Sequence, residues 1–267
     1  MCLKELHNMK VSIVLTTHNK ESLIELVCQS IIDNVSELTK EIIVVFDGCV
    51  DNTEFLAKKT LINTNLSVKY VYADDVFETK ANNLGLREVT SDYVIIIQDD
   101  MIIKEKDFDK RMLKPFIVFD DVFAVTSQTS HNNRYNEGCA ENDHALIHID
   151  LADRRRGYPR DFFAVREIAN RGPLMYCYKD LVELGFLDEE LSPYSYDDHD
   201  ISYRAYKKLN KISGLYWIHY ESDPSWGTTR QKNQHISEMA HIRNSKLVFE
   251  RHCDVIGKIN NEDRYLP

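Results

Sequence analysis

Four short apolar runs rich in β-branched residues recur through the first hundred residues, separated by polar segments with helical spacing. The runs have strand length and span residues 11–16, 42–46, 68–72 and 93–97. Between the first two runs, Leu23, Val27 and Ile31 recur at the spacing of one helix face. Strands that alternate with helices form right-handed crossovers, so the sequence predicts an α/β, Rossmann-like fold with a mostly parallel central sheet flanked by helices.

The second half of the chain has a weaker pattern. We predict a helix over residues 107–117, a strand over Val122–Thr126 and then a long polar functional loop over residues 127–171. Further on, the pattern predicts a short helix over residues 180–184 closed by Gly185, a strand-like segment over 214–219 and an amphipathic helix over 234–256. No repeat or Pro-rich linker divides the chain, so we expect a single domain over residues 1–267 with a C-terminal helical tail from residue 221.

Charge and cysteine content exclude several classes of protein. The 43 acidic residues outnumber the 33 basic residues and give a net charge of −10, which opposes binding to nucleic acid or to anionic lipid. The six cysteines form no C-x-x-C pair, so neither a zinc knuckle nor a dense disulfide framework is indicated. Without an apolar stretch long enough to span a bilayer, the sequence predicts a cytoplasmic protein, with peripheral membrane contact left open.

Polar residues follow the predicted strands at the point where each strand ends. In a parallel sheet these strand ends meet at one edge, which is where such folds bind ligands. Asp99 and Asp100 are adjacent carboxylates that repel each other unless a cation neutralises them, and this favours a divalent Mg²⁺ or Mn²⁺ site. Residues 51–53 (Asp-Asn-Thr) are equally typical of a helix N-cap.

The order of the motifs resembles the inverting glycosyltransferases of family 2, which have the GT-A nucleotide-sugar-binding fold. The matching pieces are VSIVLTTHN at 11–19, FDGCVDNT at 46–53, ANNLG at 81–85, QDD at 98–100, GFLDE at 185–189 and DDHD at 197–200. QDD is similar to the D-x-D-type metal motif, and DDHD to the acidic Glu-Asp-x-Asp motif of that family. The resemblance covers about residues 10–219, and implies a nucleotide-binding half over 10–103 and an acceptor and catalytic half over 104–220.

The resemblance also implies roles for individual residues. Asp198 would be the catalytic base, with Asp197 as the alternative, and Asp100 and His219 would hold the divalent metal, although His219 is equally typical of a structural histidine. The donor nucleotide sugar would contact Thr16, His18, Asn19, Asp47, Lys80, Asn83 and Asp99. The acceptor would contact Asp197, His199 and Asp200.

Within that family Asp47 would accept the N3–H of uracil, and His18 stands where a stacking Tyr is common. Trp226 and Arg230 either fold over the nucleotide or lie on the surface, and the basic residues between 154 and 160 either meet an anionic acceptor or are solvated.

The resemblance implies a metal-dependent inverting glycosyltransferase that moves one sugar from a UDP-sugar to a glycan or glycoconjugate. The late Gln-x-x-Arg-Trp motif of processive synthases is missing, which favours single-sugar transfer over polymerisation. Cys49 stands where a phosphatase needs its second Asp, and the loop after the first strand lacks the Gly and Arg of a nucleotidyltransferase. A catalytically silent nucleotide-sugar- or glycan-binding protein remains the alternative.

Overall fold

The computed structural model describes residues 9–227, 234–259 and 261–267 of the chain. Strand and helix alternate through its first half, and this confirms the predicted α/β fold. The elements are β1 (Val11–Thr17), α1 (Ile24–Asn34), β2 (Thr39–Asp47), α2 (Thr53–Leu61), β3 (Ser67–Ala73), α3 (Phe77–Leu86) and β4 (Tyr93–Gln98).

The second half contains short strands among the helices. Its helices are α4 (Phe108–Val118), α5 (Tyr178–Leu184), α6 (Asp197–Leu209) and α7 (Gln234–His252). Its strands are β5 (Ile102–Ile103), β6 (Val122–Thr126), β7 (Thr129–Tyr135), β8 (Leu146–Asp153), β9 (Phe162–Arg166), β10 (Ile168–Ala169), β11 (Leu174–Cys177), β12 (Ile212–Leu215), β13 (Tyr220–Glu221) and β14 (Glu262–Tyr265).

Within the described residues, nine strands form the central sheet in the order β14-β9-β12-β6-β11-β4-β1-β2-β3. Of these nine, β9 and β11 run opposite to the other seven, so the sheet is mostly parallel. Strands β10, β7 and β8 form a smaller sheet, and β13 pairs with β5. Because β1, β2, β4 and β6 point the same way, their carboxyl ends lie along one edge of the central sheet.

Helices cover the sheet and place their first residues near that edge. Helix α1 buries Ile24, Val27 and Ile31 in one core cluster, as the helical spacing predicts. Helix α3 lies very close to β1, because a Cβ added at Gly85 would stand 2.6 Å from a methyl carbon of Val14. Glycine at this position therefore lets the last turn of α3 pack closely against Val14 of β1 and Val45 of β2.

Several predictions about the second half are corrected. Residues 127–171 are not a loop but contain β7, β8, β9 and β10. The strand predicted over 214–219 ends at Leu215, and the last long helix ends at His252. The tail is not wholly helical, because β14 joins the edge of the central sheet. None of the helices in the described part of the chain combines the length and apolar character needed to cross a bilayer.

Candidate active site

The ends of β1, β2 and β4 meet at one place, as the parallel order predicts. The backbone N–H of His18 donates to Asp99 Oδ2 at 3.1 Å, and His18 Nδ1 lies 2.5 Å from the backbone oxygen of Asp47. Thr16 Oγ1 donates to Asn82 Oδ1 at 2.7 Å. Four residues of the predicted donor site are thus held to each other or to α3 by short polar contacts: Thr16, His18, Asp47 and Asp99.

Asp47 anchors the start of α3. Its Oδ1 accepts the backbone N–H of Val76 at 2.7 Å, and its Oδ2 accepts that of Phe77 at 2.9 Å. The turn beside it requires glycine, because Gly48 has φ +60° and a Cβ there would stand 2.8 Å from the Cβ of Asp75. A carboxylate offers about four acceptor positions, so Asp47 keeps acceptor capacity for a ligand while it caps the helix.

Asp99 and Asp100, here called the strand-end pair, have too little positive charge around them. Lys20 is almost fully buried, and its Nζ lies 3.3 Å from Asp99 Oδ1 and donates to the backbone oxygen of Trp226 at 2.6 Å. Among the residues that the structure describes, Asp100 Oδ1 is buried and has no hydrogen-bond partner. Burial and the neighbouring Asp99 raise the pKa of Asp100 to about 6. A carboxylate oxygen that is desolvated and unpaired fits a hard divalent cation such as Mg²⁺ or Mn²⁺.

Tyr220, the residue after His219, is buried and interacts with Asp100 of this pair. Tyr220 Oη is buried without a partner and interacts with the charge of Asp100, while the guanidinium of Arg154 lies 3.9 Å from the centre of its ring. His219 is exposed, and its ring meets Trp217 edge-on at 5.0 Å. In the described residues, no cluster of three ligating side chains includes His219 with the strand-end pair, so its metal role stays a prediction. Arg230 lies outside the described residues.

Asp197 and Asp198, here called the helix-start pair, begin α6 and are well neutralised. Asp197 is fully buried, forms an ion pair with Arg171 and accepts a hydrogen bond from Thr79 Oγ1 at 3.0 Å. Asp198 Oδ2 accepts the backbone N–H of Arg171 at 3.0 Å. Asp198 Oδ1 accepts the backbone N–H of His199 at 2.9 Å and lies 2.7 Å from His199 Nδ1.

These contacts set the charge of Asp198. Burial opposes its ionisation, but the charge and hydrogen bond of His199, together with Arg171, outweigh burial and hold the pKa of Asp198 well below its usual range. Asp200 faces the interior, where it binds Arg204 Nε at 2.6 Å and His252 Nε2 at 2.9 Å. Asp197 and Asp200 are thus both held by internal partners, and their contact with an acceptor stays a prediction.

Glu78 and Arg171 connect the two acidic pairs. Arg171 Nη1 lies 2.6 Å from Glu78 Oε1, which also accepts a hydrogen bond from Gln98 Nε2 at 2.5 Å. The charge of Glu78 contributes to the raised pKa of Asp100. Both pairs thus lie at the same edge of the sheet. Sequence reasoning missed Glu78 and Arg171; the one available signal is that Arg171 stands directly before an apolar strand.

Helix α3 presents neighbouring asparagines to different surroundings. Asn82 contacts Thr16, whereas Asn83 Nδ2 donates to the backbone oxygen of Leu187 at 2.8 Å and to Glu189 Oε1 at 3.0 Å. Lys80 also interacts with Glu189. Asn82, which the sequence analysis did not select, is therefore the asparagine at the strand ends, and its Nδ2 is buried without a partner.

Comparison with known proteins agrees with this architecture. The family model described as glycosyl transferase family 2 matches residues 12–164. Curated relatives include the chondroitin synthases of Pasteurella multocida (strain Pm70) and Escherichia coli, each 23% identical over 75% and 79% of this chain respectively. The chain spans only 23% and 34% of the length of these two relatives.

Solved structures with little sequence identity share the fold. A mannosyltransferase from Pyrobaculum calidifontis in complex with GDP-Man and Mn²⁺ matches with a TM-score of 0.61 and 15% identity, over 94% of this chain and 66% of that one. The glucosyl-3-phosphoglycerate synthase of Mycobacterium tuberculosis, with Mg²⁺ and UDP, matches with a TM-score of 0.59 and 16% identity, over 100% and 92%. With the family model matching more than half of its residues, this chain belongs to glycosyl transferase family 2 and is a glycosyltransferase.

Proposed function

We propose that this protein transfers a single sugar from a UDP-sugar to a hydroxyl of a glycan or glycoconjugate, with inversion at the anomeric carbon and with a divalent cation. One observation carries the proposal: two acidic pairs of opposite electrostatic balance lie at one sheet edge, joined by Glu78 and Arg171. Inverting transfer needs a stabilised leaving group on one side of the anomeric carbon and a base on the other, and the two pairs are suited to these two tasks.

The strand-end pair is suited to the donor. Asp100, with its unpaired buried oxygen, would hold Mn²⁺ or Mg²⁺, and Lys20 keeps Asp99 in place. The bound cation would supply Lewis-acid stabilisation of the charge that develops on the departing diphosphate. Thr16, His18, Asn19 and Asp47 would surround the nucleotide. The solved relatives bind UDP in one case and GDP-Man in another, and UDP is the nucleotide that we propose here.

Asp198 is our candidate for the base. It is 9% exposed whereas Asp197 is fully buried, so of the two only Asp198 is open to an acceptor hydroxyl. Its carboxylate is ionised and held by His199 and Arg171, and it still has free acceptor positions. As the acceptor oxygen attacks the anomeric carbon, its proton moves to Asp198 and the bond to the diphosphate breaks.

The test compares Asp198→Asn with Asp254→Asn, because Asp254 is an exposed carboxylate that forms an ion pair with Lys207. UDP release is measured with a panel of UDP-sugars, acceptors and Mn²⁺. Because a positioned base contributes about 10²–10⁴-fold, we expect kcat to fall by that factor in Asp198→Asn and to stay unchanged in Asp254→Asn. NMR of the product anomer reports inversion, and product length separates single transfer from polymerisation. Donor binding without turnover in the unaltered protein would favour a silent binding protein.

A further inference from the structure

Three histidines from separate elements come together beside the helix-start pair. They are His131 on β7, His148 on β8 and His199 on α6, and one ring nitrogen of each lies within 4.8 Å of the others. We call these three residues the histidine cluster. Among the residues that the structure describes, it is the one group of three or more His, Cys, Asp or Glu side chains with this spacing.

Local backbone geometry brings His131 into the cluster. The register between β7 and β8 shifts between Ser130 and Asn132, so His131 lies at an irregularity of the kind that redirects a side chain. Its ring stacks on that of His148, with centroids 3.9 Å apart, and its Nε2 lies 3.2 Å from His199 Nε2. Both His131 and His199 are buried.

Two Nε2 atoms that face each other need a proton or a cation between them. In a neutral His199 the hydrogen lies on Nδ1, which the carboxylate of Asp198 engages, and its Nε2 then presents a lone pair to His131. If His131 donates from Nε2, its buried Nδ1 is left as an acceptor without a partner. If it carries the hydrogen on Nδ1 instead, two lone pairs oppose each other across 3.2 Å.

A cation bound between the two Nε2 atoms accepts both lone pairs, so they no longer oppose each other. A tetrahedral zinc ion with bonds of 2.0–2.1 Å to nitrogen separates its ligand atoms by about 3.4 Å, close to the observed spacing of His131 and His199. His148 is exposed, and one of its ring nitrogens lies within 4.8 Å of the ligating nitrogens of the other two histidines. The Asp198–His199 contact is also the carboxylate–histidine arrangement that orients metal ligands in proteins.

We propose that the histidine cluster binds one transition-metal cation of the Zn²⁺ class, at a site separate from Asp100. Three imidazoles prefer Zn²⁺ over Mg²⁺, whereas the carboxylates of the strand-end pair have the opposite preference. The cation ties the β7–β8 hairpin to the first turn of α6 and fixes the ring that holds Asp198. Zinc binding at this site does not depend on the proposed transfer reaction.

The experiment uses the full chain without a histidine tag, stripped with a chelator and then supplied with excess Mg²⁺ and one equivalent of Zn²⁺. Elemental analysis after gel filtration measures the zinc retained. We expect one zinc per chain in the unaltered protein and in Asp100→Asn, and a loss of at least tenfold in affinity for His148→Ala, since even an outer-sphere partner contributes about 10–100-fold. His235→Ala removes an exposed histidine of α7 as the matched control and should retain zinc.

A second measurement does not depend on the folding of a variant. Co²⁺ added to the stripped, unaltered protein should give the intense visible absorption of a tetrahedral site with nitrogen ligands, and Zn²⁺ should remove it. The proposal is overturned if the unaltered protein shows no such band, or if His148→Ala keeps as much zinc as His235→Ala. Loss of zinc in Asp100→Asn would instead place the cation at the strand-end pair and would likewise overturn it.

Discussion

The strand-end pair and the helix-start pair have the same composition, two adjacent aspartates, but opposite electrostatic surroundings. Within the described part of the chain, Lys20 is the cation paired with Asp99, and one buried oxygen of Asp100 has no hydrogen-bond partner. Asp197 and Asp198 have the guanidinium and backbone of Arg171, the ring of His199 and the first turn of a helix. The pKa of Asp100 rises to about 6 while that of Asp198 falls.

This difference separates two uses of a carboxylate pair. A pair that the protein leaves short of positive charge gains stability when a cation arrives from outside, so it is suited to a metal and a diphosphate. In the helix-start pair, burial raises the pKa of Asp197, whereas His199 and Arg171 keep Asp198 ionised and fixed, so Asp198 can accept a proton at a defined position. The contrast between the two pairs depends on a few buried charges, so single substitutions can test it.

The largest expected effect is that of Arg171→Leu, which would make the helix-start pair resemble the strand-end pair. The guanidinium serves both Asp197 and Glu78, and its loss leaves buried carboxylates without compensation. We expect the free energy of unfolding to fall by about 3–5 kcal/mol. Urea denaturation measures this free energy. Arg156→Leu is the control, because the Arg156 side chain is 73% exposed and its ion pair with Asp153 is long, at 4.0 Å. A loss below about 1 kcal/mol would contradict this account.

The second largest expected effect is a gain in stability, opposite in sign to that of Arg171→Leu. Asp100→Asn removes a charge that the fold disfavours, so without metal it should raise the free energy of unfolding. A pKa raised from 3.8 to about 6 corresponds to about 3 kcal/mol at most, and partial solvent access reduces the expected gain to about 1–3 kcal/mol. Ionised Asp100 destabilises the fold only above its ordinary pKa, so the gain should be absent at pH 4, grow between pH 4 and 6, and be complete by pH 7.

The measurement is urea denaturation in chelator at several pH values, with Asp120→Asn as an exposed control that should show no such profile. A gain that does not vary with pH would show that the ionisation of Asp100 is not its cause. With Mn²⁺ present the sign should reverse, because the unaltered protein then has a cation to bind and the variant has lost its ligand.

Apolar patterning accounts for what the sequence could predict of the fold. The strands β1 to β4 were predicted to within three residues at each end because their sequences are rich in β-branched, aliphatic and aromatic residues. Strands β7 and β8 were missed because the buried residues of β7 are polar: Ser130, His131, Asn132 and Asn133. Their burial is possible only through partners far along the chain, such as Glu167 and Tyr203, and no local pattern indicates these.

The same reasoning applies to the site. Asp100 and Asp198 were selected because family motifs contain them, and motifs report residues that are adjacent in sequence. Lys20, Glu78 and Arg171 set the charge balance of these aspartates, yet each acts across the fold. The histidine cluster has the same origin, because its members come from three elements, two of which the sequence analysis assigned to a loop. Contacts of this kind follow from topology and not from spacing.

The smallest expected effect concerns Tyr220, whose hydroxyl is buried beside Asp100 without a partner. Tyr220→Phe removes an oxygen that lost its water on folding and gained no hydrogen bond, so the free energy of unfolding should rise by about 0.5 kcal/mol. The matched change is Tyr203→Phe, because Tyr203 Oη donates to Glu167 Oε2 at 2.8 Å and accepts from Asn133 Nδ2 at 2.9 Å. That variant leaves two buried groups short of a partner and should lose about 1–3 kcal/mol.

Urea denaturation of both tyrosine variants, in chelator at pH 7, measures these changes in the free energy of unfolding. If both variants lost the same free energy of unfolding, Tyr220 Oη would have a hydrogen-bond partner in solution. The surroundings of the strand-end pair would then contain fewer unsatisfied polar groups than the geometry indicates. A gain for Tyr220→Phe beside a loss for Tyr203→Phe would locate the unsatisfied polar groups of this edge around Asp100. Such unsatisfied groups are what a cation and a diphosphate can bind, because their desolvation has already taken place in the folded protein.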